Sequence, residues 1–287
     1  MSKALKKTIG ISGYELYDDW KNELTNIYEK NINNLNDLKD YIILEDKGYS
    51  NFFPNWSPSG KNIAFLSDKD NDYFGQSSLY LYNLEDSLTK KIMYGVKSKP
   101  DWINDSLLVY AKRSDYNENG SKYFNLYSYD LIEKEETQLT EDMRLTSPVF
   151  NTKNNKIYAI NTYDGTSNII ASDLDFSPPV KSSILKQTPR VSSFNQLTDF
   201  NNGVQIFSLA VKDSIIVYDA VVNHERDLFY ININNNKVDE FKIKKWDLRS
   251  PSFSEDALIY SDDKNGIFNL YLDNKVNQGY VTNVPGG

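Results

Sequence analysis

The sequence predicts an all-β fold built from a repeated unit, and three observations support this. From residue 40 onward apolar and polar residues alternate, which is the period of half-buried strands. A short motif, proline followed two residues later by a large aromatic residue, recurs at intervals of roughly 45 residues. Each motif precedes further strand-like runs separated by turn residues. Four strands per unit at this period are typical of a β-propeller blade, which buries its faces against neighbouring blades.

Residues 54–67 are the best-preserved copy of the unit and are predicted to form strand, turn and strand. Pro58 presets φ at the second position of the turn, and Gly60 closes the turn without a Cβ clash. Residues 41–44 are predicted as a strand before this hairpin. Residues 79–82 and 89–93 supply the strands that complete the first blade.

The unit recurs four more times, so about five blades are predicted. Clear copies begin at Pro100, Pro148 and Pro251. The copy at residues 205–231 lacks the motif but keeps the strand rhythm, and an insertion with Pro178 and Pro179 interrupts the third copy. One equivalent position holds a large aromatic residue in four copies: Trp56, Trp102, Phe150 and Phe253. This predicts a packing slot between blades, where truncation to alanine would cost about 3–5 kcal/mol.

The chain divides into a helical N-terminal segment, residues 1–36, and the propeller, residues 37–287. Ser12 and Glu15 are spaced as a capping box at the start of a helix. A shorter helix over residues 4–9 is predicted before it, ending at Gly10. An apolar face then recurs at helical spacing: Leu16, Trp20, Leu24, Ile27 and Tyr28. We expect this helix to pack on the part of the chain after it, or to be the tail of another domain.

The repeats resemble the TolB-type, WD40-like (PD40) propeller repeat. Residues 54–61 are similar to its consensus Pro-x-Trp-Ser-Pro-Asp-Gly-Lys, with Ser59 in place of the aspartate. Residues 124–131 and 138–140 resemble its second half. The resemblance covers about residues 40–287. It implies a propeller rather than an activity, because this repeat occurs in periplasmic translocation proteins, in peptidases and in other exported proteins.

Residues 4–12, followed by Leu16 and Trp20, resemble the closing helices of gluzincin-type metallopeptidase domains. Some exported bacterial proteins join such a domain to this propeller type. The zinc-binding His-Glu-x-x-His stretch is absent here, so no peptidase residue is carried over. Such propellers close with six or seven blades, so we expect an incomplete ring in a fragment of a longer protein. Its two unburied blade faces predict low solubility or self-association.

The composition excludes several classes of function. With a net charge of −8, the chain lacks the basic surface of a nucleic-acid-binding protein, and anionic membranes are disfavoured. The absence of cysteine excludes disulfides, thiolate metal sites and cysteine nucleophiles. No apolar run approaches the roughly 18 residues of a membrane span, and the N-terminus is too polar for a signal-peptide core.

No residue is assigned a catalytic, cofactor-binding or metal-binding role. His224 is the only histidine, and no Gly-x-Ser-x-Gly elbow accompanies it, so an exposed loop histidine is expected. Residues 68–72 space three aspartates like the start of a calcium loop, but Tyr73 and Leu79 exclude an EF-hand. A weak surface calcium site and a solvated loop remain the alternatives. Residues 133–136 are predicted to form a turn.

The resulting hypothesis is a non-catalytic propeller that binds a protein or peptide, without a cofactor, as part of a longer exported bacterial protein. Variable loops at residues 68–78, 113–122 and 175–193 would supply the binding surface. The alternative is an accessory, substrate-gating propeller of a metallopeptidase or serine peptidase. The expected location is the periplasm or cell envelope, with the cytoplasm kept as an alternative since no signal peptide is present. The oligomeric state is left open.

Overall fold

The computed structural model describes residues 2–33, 41–73, 75–177, 188–235, 237–240, 246–255, 257–264, 266–274 and 278–284. Two helices, α1 (Ser2–Ile9) and α2 (Gly13–Asn33), precede five blades. Blade 1 contains β1 (Asn51–Trp56), β2 (Asn62–Ser67), β3 (Ser78–Asn83) and β4 (Leu88–Tyr94). Blade 2 contains β5 (Asp101–Asn104), β6 (Leu107–Arg113), β7 (Phe124–Asp130) and β8 (Glu135–Gln138).

The remaining three blades come next in chain order. Blade 3 contains β9 (Leu145–Asn151), β10 (Lys156–Tyr163), β11 (Thr166–Ser177), β12 (Thr188–Val191) and β13 (Asn195–Gln196). Blade 4 contains β14 (Gln205–Lys212), β15 (Ile215–Val222), β16 (Glu225–Asn232) and β17 (Lys237–Glu240). Blade 5 contains β18 (Leu248–Ser254), β19 (Ala257–Asp262), β20 (Asn269–Asp273) and β21 (Gln278–Tyr280). The predicted propeller of four-stranded blades with a helical N-terminus is confirmed.

Each blade is an antiparallel sheet whose strands pair in chain order, except that the long β11 of blade 3 carries both β12 and β13. The first strands of successive blades pack on one another, from β1 and β5 through to β14 and β18. These first strands therefore surround the axis of the ring, and the fourth strands lie at its rim.

A bulge precedes the proline of the repeat in three of the blades. Phe53, Ser147 and Ser250 have φ values of 55°, 49° and 53°. The register between the first and second strands shifts at these places. Proline has no N–H to donate to a ladder, so an interrupted ladder is where a strand tolerates it. The recurring proline thus marks a recurring bulge on the inner strand.

The hydrophobic core consists of layers between consecutive blades. Alternate residues of a strand face opposite sides of the sheet. Ala64 and Leu66 of blade 1 pack against Leu108 and Tyr110 of blade 2. Comparable clusters of buried residues join blades 2 and 3, 3 and 4, and 4 and 5.

A cross-strand aromatic pair recurs on the face that a blade turns toward its predecessor. The ring centroids lie between 5.4 and 6.4 Å apart. Blade 3 has Ala159 opposite Ile170 on that face instead. The pairs occur in blades 1, 2, 4 and 5: Phe65–Tyr80, Tyr110–Tyr127, Tyr218–Phe229 and Tyr260–Tyr271. Because aromatic pairs stabilise beyond their buried area, those of blades 2, 4 and 5 reinforce these layers, whereas Phe65–Tyr80 lies on the face of blade 1 that has no described neighbouring blade.

Trp102 packs between two blades, as the sequence predicted, whereas Trp56 does not. Trp102 is 5% exposed, packs on blade 1, and donates from Nε1 to the Asn55 carbonyl at 3.1 Å. Trp56 is 55% exposed, so its assignment to inter-blade packing is wrong. The reason is geometric: the slot lies between a blade and its predecessor, and among the described residues no blade precedes blade 1.

Among the described residues, the face of blade 1 that points away from blade 2 is covered by the segment leading into β1. Residues 41–44 form no strand, which corrects the prediction for this stretch, because no neighbouring strand pairs with them. Glu45 instead accepts from Lys69 Nζ at 2.5 Å, and both side chains are nearly buried. An apolar cavity of about 260 Å³ remains between this segment and the sheet, lined in part by Ile43, Leu44 and Phe65.

The face of blade 5 that points away from blade 4 is also uncovered among the described residues. Phe268 and Leu270 are about two-fifths exposed, whereas Tyr260 on the opposite face is fully buried. No described strand of blade 5 packs extensively against a strand of blade 1. The layers of the core therefore run from blade 1 to blade 5 without returning to blade 1.

One carboxylate connects three blades. Asp101 of blade 2 accepts from Asn55 Nδ2 of blade 1 at 2.7 Å and from the Phe150 N–H of blade 3 at 2.6 Å. Burial raises the pKa of the Asp101 carboxyl and lowers the pKa of the neighbouring Lys99. Both side chains are densely surrounded by protein at the inner end of blade 2.

The two helices contact each other but make no extended contact with the described blades. The capping box is confirmed, with Ser12 N–H donating to Glu15 Oε2 at 2.6 Å and Glu15 N–H to Ser12 Oγ at 3.2 Å. The apolar face of α2 is exposed at Leu16 and Trp20. The expectation that α2 packs on the part of the chain after it is therefore wrong for the described residues. Neither described helix is long and apolar enough to cross a membrane.

Candidate functional site

The two longest described loops lie on the same edge of the ring. Loop 68–77 joins β2 to β3 and loop 114–123 joins β6 to β7, so equivalent positions in adjacent blades place them side by side. Lys97 Nζ donates to the carbonyl of Gly75, and Val96 forms a bridge with Lys112, which connects the two blades here. We call the edge formed by these loops and by connections 95–100 and 139–144 the long-loop edge.

The first loop is held by its own carboxylates. Asp68 Oδ1 accepts from the N–H groups of Tyr49 and Ser50, at 2.8 and 3.0 Å. Tyr80 donates through its hydroxyl to the Lys69 carbonyl at 2.8 Å and to Asp70 Oδ2 at 3.3 Å. Among the described residues no three acidic or histidine side chains converge as metal ligands. Asp68 and Asp70 therefore accept hydrogen bonds from residues outside the loop.

The second loop is hydrogen-bonded to the connection between blades 2 and 3. Asn117 Nδ2 donates to Asp142 Oδ2 at 3.1 Å, and Arg144 donates to the Tyr123 hydroxyl at 3.2 Å. The hydrogen bond from Arg144 is the main reason that the pKa of Tyr123 is lowered. These two contacts fix the loop across the end of blade 2.

Cations at this edge lie over aromatic rings. Lys122 Nζ lies 4.2 Å from the centroid of the Tyr116 ring, and Arg113 Cζ lies 5.1 Å from that of Phe124. Further round the ring, Arg226 lies over Phe207 and pairs with the buried Asp219. These cation–aromatic pairs give the edge several groups that present both an apolar ring and a positive charge to a partner.

A polar cavity of about 430 Å³ opens between loop 114–123, connection 139–144 and the outer half of blade 2. Its charged lining comprises four carboxylates and two cations: Asp115, Glu136, Glu141 and Asp142, with Lys112 and Arg113. A second cavity of similar size lies beside loop 68–77 and contains Lys47, Tyr49 and Tyr73.

Glu136 forms part of the wall of the first cavity through a partly buried hydrogen-bond network. Its Oε1 accepts from the Tyr110 hydroxyl at 2.6 Å, and its Oε2 accepts from Lys112 Nζ at 2.5 Å. Burial, followed by the hydrogen bond to Glu136, raises the pKa of Tyr110. The prediction of a turn over residues 133–136 is wrong at its end, because Glu135 and Glu136 belong to β8.

His224 lies at the tip of the hairpin between β15 and β16, where it and Asn223 have φ values of 71° and 52°. The side chain is exposed, as the sequence predicted. Two residues with positive φ are what a tight hairpin turn requires. The turn is far along the ring from the cavity beside loop 114–123.

The third variable loop predicted from the sequence does not join the long-loop edge. It joins the third and fourth strands of blade 3 and so leaves the sheet at the opposite edge. Its residues 178–187 lie outside the described part of the chain. Residues Thr188–Val191 form β12, which pairs with the end of β11.

The cavity itself was not predicted from the sequence. Its lining comes from β6, β7 and β8 together with two connections that are separated in the chain by β7 and β8. The available signal was the charged run at residues 133–136, which was predicted as a turn although Glu135 and Glu136 belong to β8.

No family model matches the chain, and no curated protein matches it in sequence. Solved structures do share its fold. TolB from Acinetobacter baumannii is 16% identical with a TM-score of 0.57, covering 78% of this chain and 52% of that protein. A protein from Agrobacterium tumefaciens described as TolB is 14% identical with a TM-score of 0.57, covering 83% of both chains.

The tricorn protease is also similar, at 15% identity and a TM-score of 0.56, covering 82% of this chain and 26% of that one. The fold is therefore a β-propeller of the kind present in TolB proteins and in proteases. The chain spans about half the length of the Acinetobacter TolB and about a quarter of the tricorn protease. The resemblance of the N-terminal helices to a metallopeptidase domain stays a prediction.

Proposed function

We propose that this chain is a non-catalytic scaffold that binds a protein or peptide across its long-loop edge, in the periplasm or cell envelope. The observation that carries this proposal is the polar cavity where the long loop of blade 2 meets the next blade. The opposite edge of blades 1 and 2 has short turns, such as the one closed by the hydrogen bond from Gly60 N–H to Ser57 O. Binding residues are commonly carried by loops on a rigid scaffold.

The test is selection of peptides from a displayed library against the purified chain. A variant with Arg113→Ala, Tyr116→Ala and Lys122→Ala should lose most selected binders, since it removes exposed contact groups from the long-loop edge. The matched control is Lys61→Ala, Ile132→Ala and Lys153→Ala, which changes exposed residues at the opposite edge. Equal loss in both variants, or selection of no binder, would contradict the proposal.

The second candidate is an accessory propeller of a peptidase, favoured by the similarity of fold to the tricorn protease. It shares the expectation that the isolated chain hydrolyses no peptide. The two candidates separate when selected peptides are examined. A scaffold retains one defined sequence motif, whereas a substrate-gating propeller accepts unrelated sequences with similar weak affinities.

A further inference from the structure

Asn125 of β7 has an amino group without a partner. The residue is fully buried, and its Oδ1 accepts from Met143 N–H at 3.2 Å and from Thr140 Oγ1 at 3.3 Å. A backbone N–H can only donate, so the oxygen of the amide is correctly assigned. Among the described residues nothing accepts a hydrogen bond from Asn125 Nδ2. A buried donor left unpaired is unfavourable, so it calls for an explanation.

The same position in blade 3 has all its hydrogen bonds. Asn168 Oδ1 accepts from Thr198 Oγ1 at 2.9 Å and from Phe200 N–H at 2.7 Å. Its Nδ2 donates to the Phe200 carbonyl at 3.0 Å. The contact between asparagine and threonine is thus repeated in blades 2 and 3. In blade 3 the asparagine amino group has an acceptor, whereas in blade 2 it has none among the described residues.

Asn125 lines the polar cavity beside loop 114–123. At the mouth of the cavity, Asp115, Glu141 and Asp142 are exposed. Glu136 is occupied deeper in the wall by Lys112 and Tyr110. The cavity therefore combines a buried hydrogen-bond donor, Asn125 Nδ2, with an excess of carboxylates at its mouth. The net charge of −8 on the whole chain favours approach of a cationic partner.

We propose that this cavity binds a lysine- or arginine-bearing peptide segment, with a peptide carbonyl accepting from Asn125 Nδ2 and the basic side chain lying among Asp115, Glu141 and Asp142. The inference rests on the proposed function, because it names the chemistry of the partner at the long-loop edge. Asn125 lines the cavity, and because its Nδ2 is buried, connection 139–144 has to move outward to admit the carbonyl.

The test is an NMR titration that monitors the side-chain amide signals of Asn125. These signals are identified as the pair absent from Asn125→Asp, which keeps the oxygen that accepts from Met143 and loses the donor. The probe is an acetylated and amidated Gly-Ser-Lys-Ser-Gly peptide, and its comparison has glutamate in place of lysine. The lysine peptide should shift the Asn125 signals saturably, and the glutamate peptide should not.

Variants separate the roles of the two parts of the site. Asp115→Asn with Glu141→Gln should weaken lysine-peptide binding about five- to ten-fold, as expected for two exposed ionic contacts. Asn125→Asp should weaken lysine-peptide binding because it removes the donor. Asn168→Asp, at the equivalent position of blade 3, and Glu133→Gln, at the opposite edge of blade 2, should bind as wild type.

An unchanged Asn125 signal at millimolar peptide, or equal binding of the glutamate peptide, would overturn the inference. If selected library peptides still depend on Arg113, Tyr116 and Lys122, the proposed function stands and only the chemistry of the partner is wrong. If the triple variant keeps all selected peptides, the proposed function itself has failed.

Discussion

Trp102 and Trp56 occupy the same place in the repeat but different surroundings. Trp102 is enclosed between blades 1 and 2 and satisfies its indole N–H on Asn55, whereas more than half of the Trp56 side chain contacts solvent. The free energy gained by a large aromatic residue depends on the surface it removes from water. Identity within the repeat therefore does not fix the contribution of the residue to stability.

Trp102→Ala should lower the free energy of unfolding by about 3–5 kcal/mol, because it empties a closed slot and leaves a cavity. Trp56→Ala, the matched control at the equivalent position, should lower it by less than about 1 kcal/mol, as for exposed substitutions. Urea denaturation monitored by circular dichroism measures both. Comparable losses would show that Trp56 is buried in solution.

At the scale of single elements, the segment 41–49 acts as a cover on blade 1 rather than as a strand. Its Glu45 holds Lys69 against the Tyr80 ring, with Nζ 4.5 Å from the ring centroid. Burial, and next the Asp70 carboxylate, raise the pKa of Tyr80 to about 12. Glu45 also raises this pKa, while Lys69 and Lys91 lie over the ring.

This shift predicts a loss of stability in alkali. An unfolded tyrosine titrates near pH 10, so the folded state holds the Tyr80 proton more tightly. Its contribution is complete below about pH 10 and is lost as pH rises toward 12. The free energy of unfolding should fall more steeply over this window in wild type than in Tyr80→Phe.

Urea denaturation at several pH values between about 9 and 11.5 measures the two slopes. Tyr116→Phe, which removes an exposed hydroxyl, serves as the control and should keep the wild-type slope. Lysines that deprotonate in the same window contribute equally to all three proteins. Identical slopes for wild type and Tyr80→Phe would contradict the buried position of this hydroxyl.

The elements that the sequence predicted are those whose signal is local. The turn at residues 57–60 results from Pro58 and Gly60, and the long apolar strands result from their alternation. The sequence missed β12, β17 and β21, which are short, at the rim, and rich in polar residues such as Lys237 and Gln278. A strand is stabilised by its partner, so short polar strands carry little signal of their own.

The dependence of a strand on its partner also explains why a strand was predicted where none forms. Residues 41–44 have the composition of a strand, yet without a neighbouring strand their backbone groups form no ladder. The candidate cavity was beyond prediction for a related reason. Asn117 and Asp142 are brought together by the contact of two connections, and no sequence pattern around either residue predicts that contact.

At the scale of the whole molecule, the two end faces of the row of blades predict self-association. Each inner layer joins one face of a blade to the next blade. The outward face of blade 5 retains the exposed apolar residues Phe268 and Leu270, and the segment that covers blade 1 exposes Ile42 and Ile43. Light scattering should therefore show a molecular mass that rises with concentration. Leu270→Lys should reduce this rise, because it places a charge on the exposed face of blade 5.

Ile132→Lys is the control for this experiment, since it adds the same charge at an exposed apolar residue outside the blade faces. It should associate as wild type does. A wild-type chain that is monomeric at all concentrations would show that the end faces are covered in solution.

The three-blade contact of Asp101 has a consequence for how the molecule comes apart. Repeat proteins whose units touch only their neighbours unfold in steps, from whichever end is weaker. Asp101 ties β1, β5 and β9 through one side chain, so releasing blade 1 disturbs the acceptor that also holds Phe150. We therefore expect blades 1 to 3 to unfold as a single cooperative unit.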